Sequence, residues 1–199
     1  MKIAMLVGDG MGDYPVDEFK GLTPLQASDT PILDQITFYG EARMVDTVPK
    51  GLPPGSDVAN LALMGYDASK NYTGRAAIEA AGADIRMKDN DVALRCNLVT
   101  VINEEMHDYS AGHISTNEAK ELISSLQKEL GNENITFHCG VQYRHLLIWN
   151  NGSVDYSCTP PHEISDNKIH SYIPSGNDSK ILIDLMEKSK SIFINHPIN

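Results

Sequence analysis

A carboxylate follows the first apolar segment of the chain. Residues 2–7 are mostly apolar and lead directly into Gly8-Asp9-Gly10. A short apolar run that ends at a glycine is typical of a buried parallel strand, and open α/β sheets bind ligands at the carboxyl ends of such strands. An aspartate there is an oxygen ligand suited to Mg²⁺, Mn²⁺ or Zn²⁺. Asp between glycines is equally typical of a simple turn, so both interpretations of Asp9 stay open.

A serine stands at the start of a predicted helix over residues 56–64. It follows Pro53-Pro54-Gly55, and serine in this position is a favoured N-cap residue that needs no chemical role. The N-terminus of a helix also binds phosphate, and a hydroxyl there is a nucleophile once a metal or a base activates it. No histidine accompanies Ser56 in this motif, which favours a metal. A metal ligand and an activatable hydroxyl in one chain indicate phosphoryl transfer on metal ions.

Arginines interrupt apolar segments later in the chain. Two lie in strand-like runs, each near a second polar residue, and one starts a short predicted helix; they are Arg95 with Asn97, Arg144 with His145, and Arg75. An arginine in a strand usually points to solvent. Two such strands also resemble an anion clamp, because guanidinium groups bind carboxylate and phosphate in a bidentate manner. His113 and His162 lie in predicted loops, where each is either a proton shuttle or an ordinary loop histidine.

The elements that would position these residues change in character along the chain. The first part alternates strand and helix, which predicts an α/β fold, with segments at 2–7, 31–39, 41–48, 56–64 and 75–81. After about residue 84 the pattern is that of a separate α+β unit, with strands predicted over 91–102, 135–139 and 143–149 and helices over 115–131 and 178–190. We expect the boundary near residue 70.

Composition excludes several classes of function. The chain has 199 residues, a net charge of −11 and a pI near 4.9, which argues against nucleic acid or an anionic membrane as a partner. No apolar run is long enough for a membrane span, and no signal peptide is expected. The sequence contains neither a dinucleotide-binding fingerprint nor a P-loop. Three widely spaced cysteines predict free thiols in a reducing cytoplasm.

Taken together, these motifs resemble the archaeal-type cofactor-independent phosphoglycerate mutases of the alkaline phosphatase superfamily. The resemblance runs along essentially the whole chain. It is carried by Gly8-Asp9-Gly10-Met11-Gly12-Asp13, Gly55-Ser56-Asp57, Leu61-Ala62-Leu63-Met64-Gly65-Tyr66-Asp67, Tyr72-Thr73-Gly74-Arg75, Arg95-Cys96-Asn97, Asp108-Tyr109-Ser110-Ala111-Gly112-His113, Tyr143-Arg144-His145-Leu146-Leu147, Thr159-Pro160-Pro161-His162 and His196-Pro197-Ile198-Asn199.

The resemblance implies a fold and a reaction. Residues 1–70 match the first part of a phosphatase-like core, and residues 71–199 match an inserted substrate-binding lid. The implied reaction interconverts 3-phosphoglycerate and 2-phosphoglycerate through a phosphoserine at Ser56, without 2,3-bisphosphoglycerate. Asp9 and Ser56 match ligands of two divalent ions, with manganese expected first and Mg²⁺, Co²⁺ or Zn²⁺ as alternatives. The implied substrate-binding residues are Arg75, Arg95, Asn97, His113, Arg144 and His145.

The chain departs from the family pattern in ways that bear on activity. Asn60 stands where relatives usually have histidine, Ala76-Ala77 replaces a common Gly-Pro, and Ala68 replaces a usual proline. No second set of Asp and His metal ligands is recognised after residue 151. We therefore expect an N-terminal fragment of about half the usual length, inactive as a mutase by itself.

Other functions stay open at this level. The alternatives are a phosphomonoesterase, a homoserine-kinase-like enzyme of the same superfamily, and an inactive binding fragment that dimerises through an exposed sheet edge. For the mutase we expect a cytoplasmic glycolytic enzyme that acts on a small phosphoglycerate and binds no nucleic acid or membrane. A homo-oligomer is compatible with this interpretation.

Overall fold

The chain divides into two compact units between Tyr72 and Thr73. This computed structural model describes residues 2–8 and 10–198. The division falls close to the boundary expected near residue 70. That these units correspond to a phosphatase-like core and a lid stays a prediction. The chain mixes helix and sheet, which confirms the α/β class for the chain as a whole.

The described part of the first unit consists of short helices and loops. Its α-helices are α1 (Pro24–Ala27), α2 (Pro31–Tyr39), α3 (Ser56–Leu63) and α4 (Ala68–Asn71). Local sequence explains where α1 and α2 begin. Thr23 forms a capping box with Gln26, and a proline occupies the first turn of both helices, where its missing N–H costs nothing.

The strands expected over residues 2–7 and 41–48 do not form. Both segments lie in irregular backbone, and no other segment of the described chain pairs with either. Their apolar side chains are exposed, with Ile3 at 81%, Leu6 at 83% and Met44 at 99% of full accessibility. A strand exists only through hydrogen bonds to a neighbour, and apolar sequence alone does not supply that neighbour. The prediction of a buried parallel strand at the start of the chain was therefore wrong.

The second unit is the α+β structure that the sequence predicted. Its helices are α5 (Arg75–Gly82), α6 (Thr116–Leu130) and α7 (Ser179–Phe193), and its strands are β1 (Val92–Asn97), β2 (Thr100–Ile102), β3 (Glu105–Asp108), β4 (Ile135–Val141) and β5 (Arg144–Trp149). The run predicted as one strand over 91–102 is broken between β1 and β2 at Leu98 and Val99. Ser115 and Glu118 form the expected capping box at the start of α6.

A three-stranded antiparallel sheet organises this unit, in the order β1-β5-β4. On one face it packs against α6, where Ile123, Leu126, Ile135 and Leu147 are among the buried residues. On the other face Leu146 and Ile148 of β5 pack against Ala76 and Ala80 of α5. Because side chains alternate along a strand, each polar residue of β1 and β5 is committed to one of these faces.

The structure also bears on the predictions about membrane spans and cysteines. No helix within residues 2–8 and 10–198 combines the length and the apolar character needed to cross a membrane. All three cysteines are free, as expected, and burial raises the pKa of the Cys96 thiol to about 11.

Candidate functional site

A cavity of about 260 Å³ gathers most of the predicted substrate-binding residues. It lies wholly within the second unit, and its lining consists of Arg75, Arg95, Asn97, Tyr109, Tyr143, Arg144 and His162. The volume is below the roughly 300–1,000 Å³ typical of sites for drug-sized ligands, so the cavity suits a small metabolite. Four of the six predicted substrate-binding residues are therefore brought together, and the other two, His113 and His145, are not.

The strand register explains why β1 and β5 contribute three of these residues. Asn97 lies directly opposite Arg144, and Arg95 lies directly opposite Leu146. Residues opposite each other in an antiparallel pair share a face, and so do residues two apart. Since Leu146 packs toward α5, Arg95, Asn97 and Arg144 all belong to that face. Arg75 enters the same cavity from the first turn of α5.

A glutamate connects two of the arginines. Glu79 lies one helical turn after Arg75 on α5 and accepts a hydrogen bond from its Nε at 3.0 Å. The second carboxylate oxygen lies 3.3 Å from Nε of Arg95. The Arg95 side chain is only 26% exposed, so this contact is better shielded from water than an ordinary surface ion pair.

Aromatic rings form another part of the cavity wall. The guanidinium of Arg144 lies 5.3 Å from the ring centre of Tyr143, within the range of a cation–π contact. Tyr143 is edge-on to Tyr109 at 5.9 Å, and Tyr109 is edge-on to His162 at 6.2 Å. These contacts link the turn before β5 to the loop that carries Tyr109 and to the short 3-10 helix Pro161–Glu163, which carries His162.

Two buried polar atoms at the cavity lack a hydrogen bond. They are Nε of Arg95, which faces Glu79 without hydrogen-bond geometry, and Oδ1 of Asn97. A buried polar atom without a partner is destabilising, and such atoms often mark a site where a ligand or water binds. The cavity thus contains a buried acceptor among side chains that are mainly donors.

The loop after β3 holds Tyr109 in place through Asp108. The Asp108 carboxylate accepts hydrogen bonds from the Ser110 hydroxyl at 2.6 Å, the Ser110 N–H at 2.7 Å and the Gly112 N–H at 2.8 Å. These bonds, that of the Ser110 hydroxyl above all, hold the pKa of Asp108 below its ordinary value. His113 follows in the left-handed region at φ 57° and does not line the cavity.

His145 lies on the opposite face of the sheet. It pairs with Cys96, and its side chain is among the fully buried ones, with 1% of the residue exposed. Nδ1 accepts a hydrogen bond from the Gly140 N–H at 3.1 Å, whereas the buried Nε2 has no partner in the described chain. Burial lowers the pKa of His145 to about 4. A neutral imidazole in this position belongs to the packing of the sheet, on the face opposite to the arginines of the cavity.

The serine predicted as nucleophile lies at the beginning of α3, in the first unit. Gly55 is the N-cap, with extended backbone angles and a carbonyl that accepts from the Ala59 N–H at 3.1 Å. Ser56 is the first helical residue, so its interpretation as an N-cap was wrong. The next residue, Asp57, accepts a hydrogen bond from the Tyr72 hydroxyl at 2.6 Å, which ties the first turn of α3 to the end of the unit.

The predicted metal site rests on a residue outside the described part of the chain. Asp9 is not among residues 2–8 and 10–198, so its role as a ligand stays a prediction. Within those residues, no three His, Cys, Asp or Glu side chains are grouped closely enough to hold a metal ion.

Sequence reasoning missed part of the cavity. Glu79, Tyr109 and Tyr143 were not singled out, although Glu79 and Tyr143 lie beside predicted arginines and Tyr109 lies in the motif that carries His113. The i, i+4 spacing of Arg75 and Glu79 on a predicted helix was the available signal for one ion pair. The contact between Glu79 and Arg95 joins α5 to β1 and could not be obtained from spacing.

Comparison with known proteins identifies the family that this chain resembles. The family described as 2,3-bisphosphoglycerate-independent phosphoglycerate mutase matches residues 39–199. The protein of that name from Methanosarcina barkeri is 48% identical over 200 residues, covering 100% of this chain and 50% of the relative. A probable member from Geobacter sulfurreducens is 46% identical, covering 99% of this chain and 50% of the relative. The chain thus spans about half the length of these curated relatives.

Two solved structures share the fold. The PH0037 protein from Pyrococcus horikoshii is 26% identical, with a TM-score of 0.67 over 96% of this chain and 44% of that one. A cofactor-independent phosphoglycerate mutase from Thermoplasma acidophilum is 24% identical and supports the fold alone, with a TM-score of 0.54 over 96% of this chain and 52% of that one. Because the family match extends from residue 39 to residue 199, the chain belongs to the 2,3-bisphosphoglycerate-independent phosphoglycerate mutase family.

Proposed function

We propose that this chain takes part in the interconversion of 3-phosphoglycerate and 2-phosphoglycerate and that its second unit binds the phosphoglycerate. The observation that carries the proposal is the cavity with Arg75, Arg95 and Arg144 on its wall. Three guanidinium groups in a small cavity suit a ligand with more than one anionic group, since each forms bidentate hydrogen bonds with carboxylate or phosphate oxygens.

The charge of the cavity matches such a ligand. Its three arginines and the adjacent Glu79 carry a formal charge of +2, in a chain whose net charge is −11. A phosphate monoester carries a charge of about −1.5 to −2 at neutral pH, and glycerate adds a carboxylate. The arginines must attract this anion against the repulsion of an acidic protein, so their local arrangement decides whether binding occurs.

Ser56 is the proposed acceptor of the phosphoryl group, with Asp9 and Ser56 as metal ligands. Two divalent ions, manganese first among the candidates, would activate the hydroxyl and neutralise phosphoryl oxygens. One carboxylate and one hydroxyl do not supply the four to eight ligands that such ions take, and the described residues offer no further cluster. We therefore derive no catalytic step through a metal from these residues. The relatives' name supports a reaction independent of 2,3-bisphosphoglycerate.

A binding function without catalysis is a second candidate for the 199-residue polypeptide. It is favoured by one observation: every residue that lines the cavity belongs to the second unit, which has its own hydrophobic core. Anion binding therefore depends on fewer parts of the molecule than phosphoryl transfer does. We further propose a cytoplasmic protein with a small-molecule partner, and self-association remains a proposal.

The test is ligand binding with matched variants. Isothermal titration of the 199-residue chain with 3-phosphoglycerate should give saturable binding, and Arg95→Met should weaken it by about 10- to 100-fold, as expected for a lost charge-assisted hydrogen bond. Arg86→Met removes the same charge from an exposed residue that does not line the cavity and should bind like the unmodified chain. Equal affinities in all three proteins would contradict the proposed site.

A further inference from the structure

Glu79 occupies an unusual place for a carboxylate, because it lies beside a cavity that is built to bind anions. Its two oxygens contact different elements of the fold, with Arg75 of α5 at 3.0 Å and Arg95 of β1 at 3.3 Å. Both contacts use the Nε atom of the arginine. The terminal Nη groups therefore lie outside this bridge, on two side chains that line the cavity.

We propose that Glu79 is a positioning residue that holds the Arg75 and Arg95 guanidinium groups side by side as one clamp for the phosphate or carboxylate of the substrate. The proposal rests on the function proposed above. Each guanidinium has five N–H donors in a rigid fork. The hydrogen bond from Nε of Arg75 to Glu79 fixes the plane of that fork, and the ion pair at 3.3 Å holds the Arg95 guanidinium beside it. The terminal donors of both side chains are left to the ligand.

A carboxylate is needed at this position because the two guanidinium groups carry the same charge. Two guanidinium groups that share a small cavity repel each other, and without a counter-ion each would rotate toward solvent along its flexible stem. Arg75 has more open space for such a rotation, since 53% of its side chain is exposed, against 26% for Arg95. Binding an anion would then require both side chains to be ordered again, which reduces affinity.

The alternative is that Glu79 competes with the substrate for the arginines. The two roles predict opposite signs for Glu79→Gln. This variant removes a negative charge from the site, so a competitor model and simple Coulomb attraction both predict tighter anion binding. The positioning model predicts weaker binding, because the amide is a poor partner for two guanidinium groups and their alignment is lost.

The experiment is a titration of the 199-residue chain and its variants with 3-phosphoglycerate. Calorimetry measures the affinity, and NMR monitors the arginine Nε–Hε groups. We expect Glu79→Gln to bind about tenfold more weakly, as for loss of one charge-assisted interaction. Glu79→Asp keeps the charge but is one methylene shorter and cannot span both partners, so it should also weaken binding. Glu187→Gln changes the same charge on an exposed part of α7 and should leave affinity unaltered.

Each result decides between the models. Weaker binding by both Glu79 variants, with the Nε–Hε signals of Arg75 and Arg95 shifted before any ligand is added, supports the positioning role. Unchanged or tighter binding by Glu79→Gln overturns it while leaving the proposed function intact. If the unmodified chain fails to bind 3-phosphoglycerate, the proposed function fails, and this inference fails with it. Glu79→Asp serves as the deciding variant if Glu79→Gln does not fold.

Discussion

Replacing His145 with asparagine should make the free energy of unfolding less dependent on pH. The imidazole is buried in the face of the sheet that packs against α6, and its Nδ1 accepts a hydrogen bond from the Gly140 N–H. Burial lowers its pKa from an ordinary value of 6.5 to about 4. Asparagine keeps an acceptor near the position of Nδ1 but cannot take up a proton in this range.

The sign follows from proton linkage. Between pH 6.5 and pH 4 the unfolded chain holds a proton at this histidine that the folded chain does not hold. Stability rises with pH wherever the unfolded state binds more protons, so the contribution of His145 is present near neutral pH and is lost as the pH falls from about 6.5 toward 4. With one pKa unit worth about 1.4 kcal/mol, this single group should remove about 1 kcal/mol of stability between about pH 7 and pH 5.5.

Denaturant unfolding at these two pH values measures the effect and stays above the pI of 4.9, where an acidic chain is least soluble. Between pH 7 and pH 5.5 the free energy of unfolding of His145→Asn should fall by about 1 kcal/mol less than that of the unmodified chain. This difference does not depend on the absolute stability of the variant. The matched control is His107→Asn, which makes the same substitution at an exposed histidine on β3. Identical losses in His145→Asn and the unmodified chain would show that this imidazole does not titrate as a buried neutral group.

Four further predictions concern stability, specificity and activity. Ile123→Ala should lower the free energy of unfolding by about 2–5 kcal/mol in a denaturant titration, because this side chain is 2% exposed in the core under α6. Ser115→Ala should lower it by about 1 kcal/mol, since the capping box of α6 is lost, and an unchanged midpoint would count against that role. Asn97→Ala should reduce the preference for 3-phosphoglycerate over its analogue without the 2-hydroxyl by about tenfold in calorimetry, because Oδ1 is a buried acceptor without a partner at the cavity and a ligand hydroxyl would satisfy it. The 199-residue polypeptide should show no mutase activity in a coupled assay with added manganese, and robust turnover would contradict the expectation that two ions need more ligands than Asp9 and Ser56.

Elements fixed by local sequence were predicted well. Helix α2 follows from Thr30-Pro31 at its start and Gly40 at its end, and α6 follows from the capping box at Ser115. The hairpin of β4 and β5 follows from two apolar runs separated by a short polar turn. In each case the residues that decide the structure lie within a few positions of the element itself.

Two predicted strands needed partners that the sequence does not identify, and neither strand forms. The apolar runs at 2–7 and 41–48 have the composition of strands, but composition does not state which segment would pair with them. The site shows the same limit at the level of side chains. Arg144 and His145 are adjacent in a strand, so they must face opposite sides of the sheet, and only the register with β1 reveals which of them joins Arg95.

This alternation also separates two roles that the sequence had placed together. Arg144 lies on the α5 face, where Arg75, Arg95 and Glu79 form a charged cluster beside a cavity, whereas His145 lies among apolar side chains on the α6 face. A charged group on the α6 face would lower stability, and an uncharged group in place of an arginine on the α5 face would lower anion affinity. Substitutions at the two adjacent positions should therefore change different properties. Those at position 144 should change ligand binding, and those at position 145 should change the pH dependence of folding. An effect of His145→Asn on phosphoglycerate affinity as large as that of Arg95→Met would mean that the two faces are coupled, and that the site extends through the sheet.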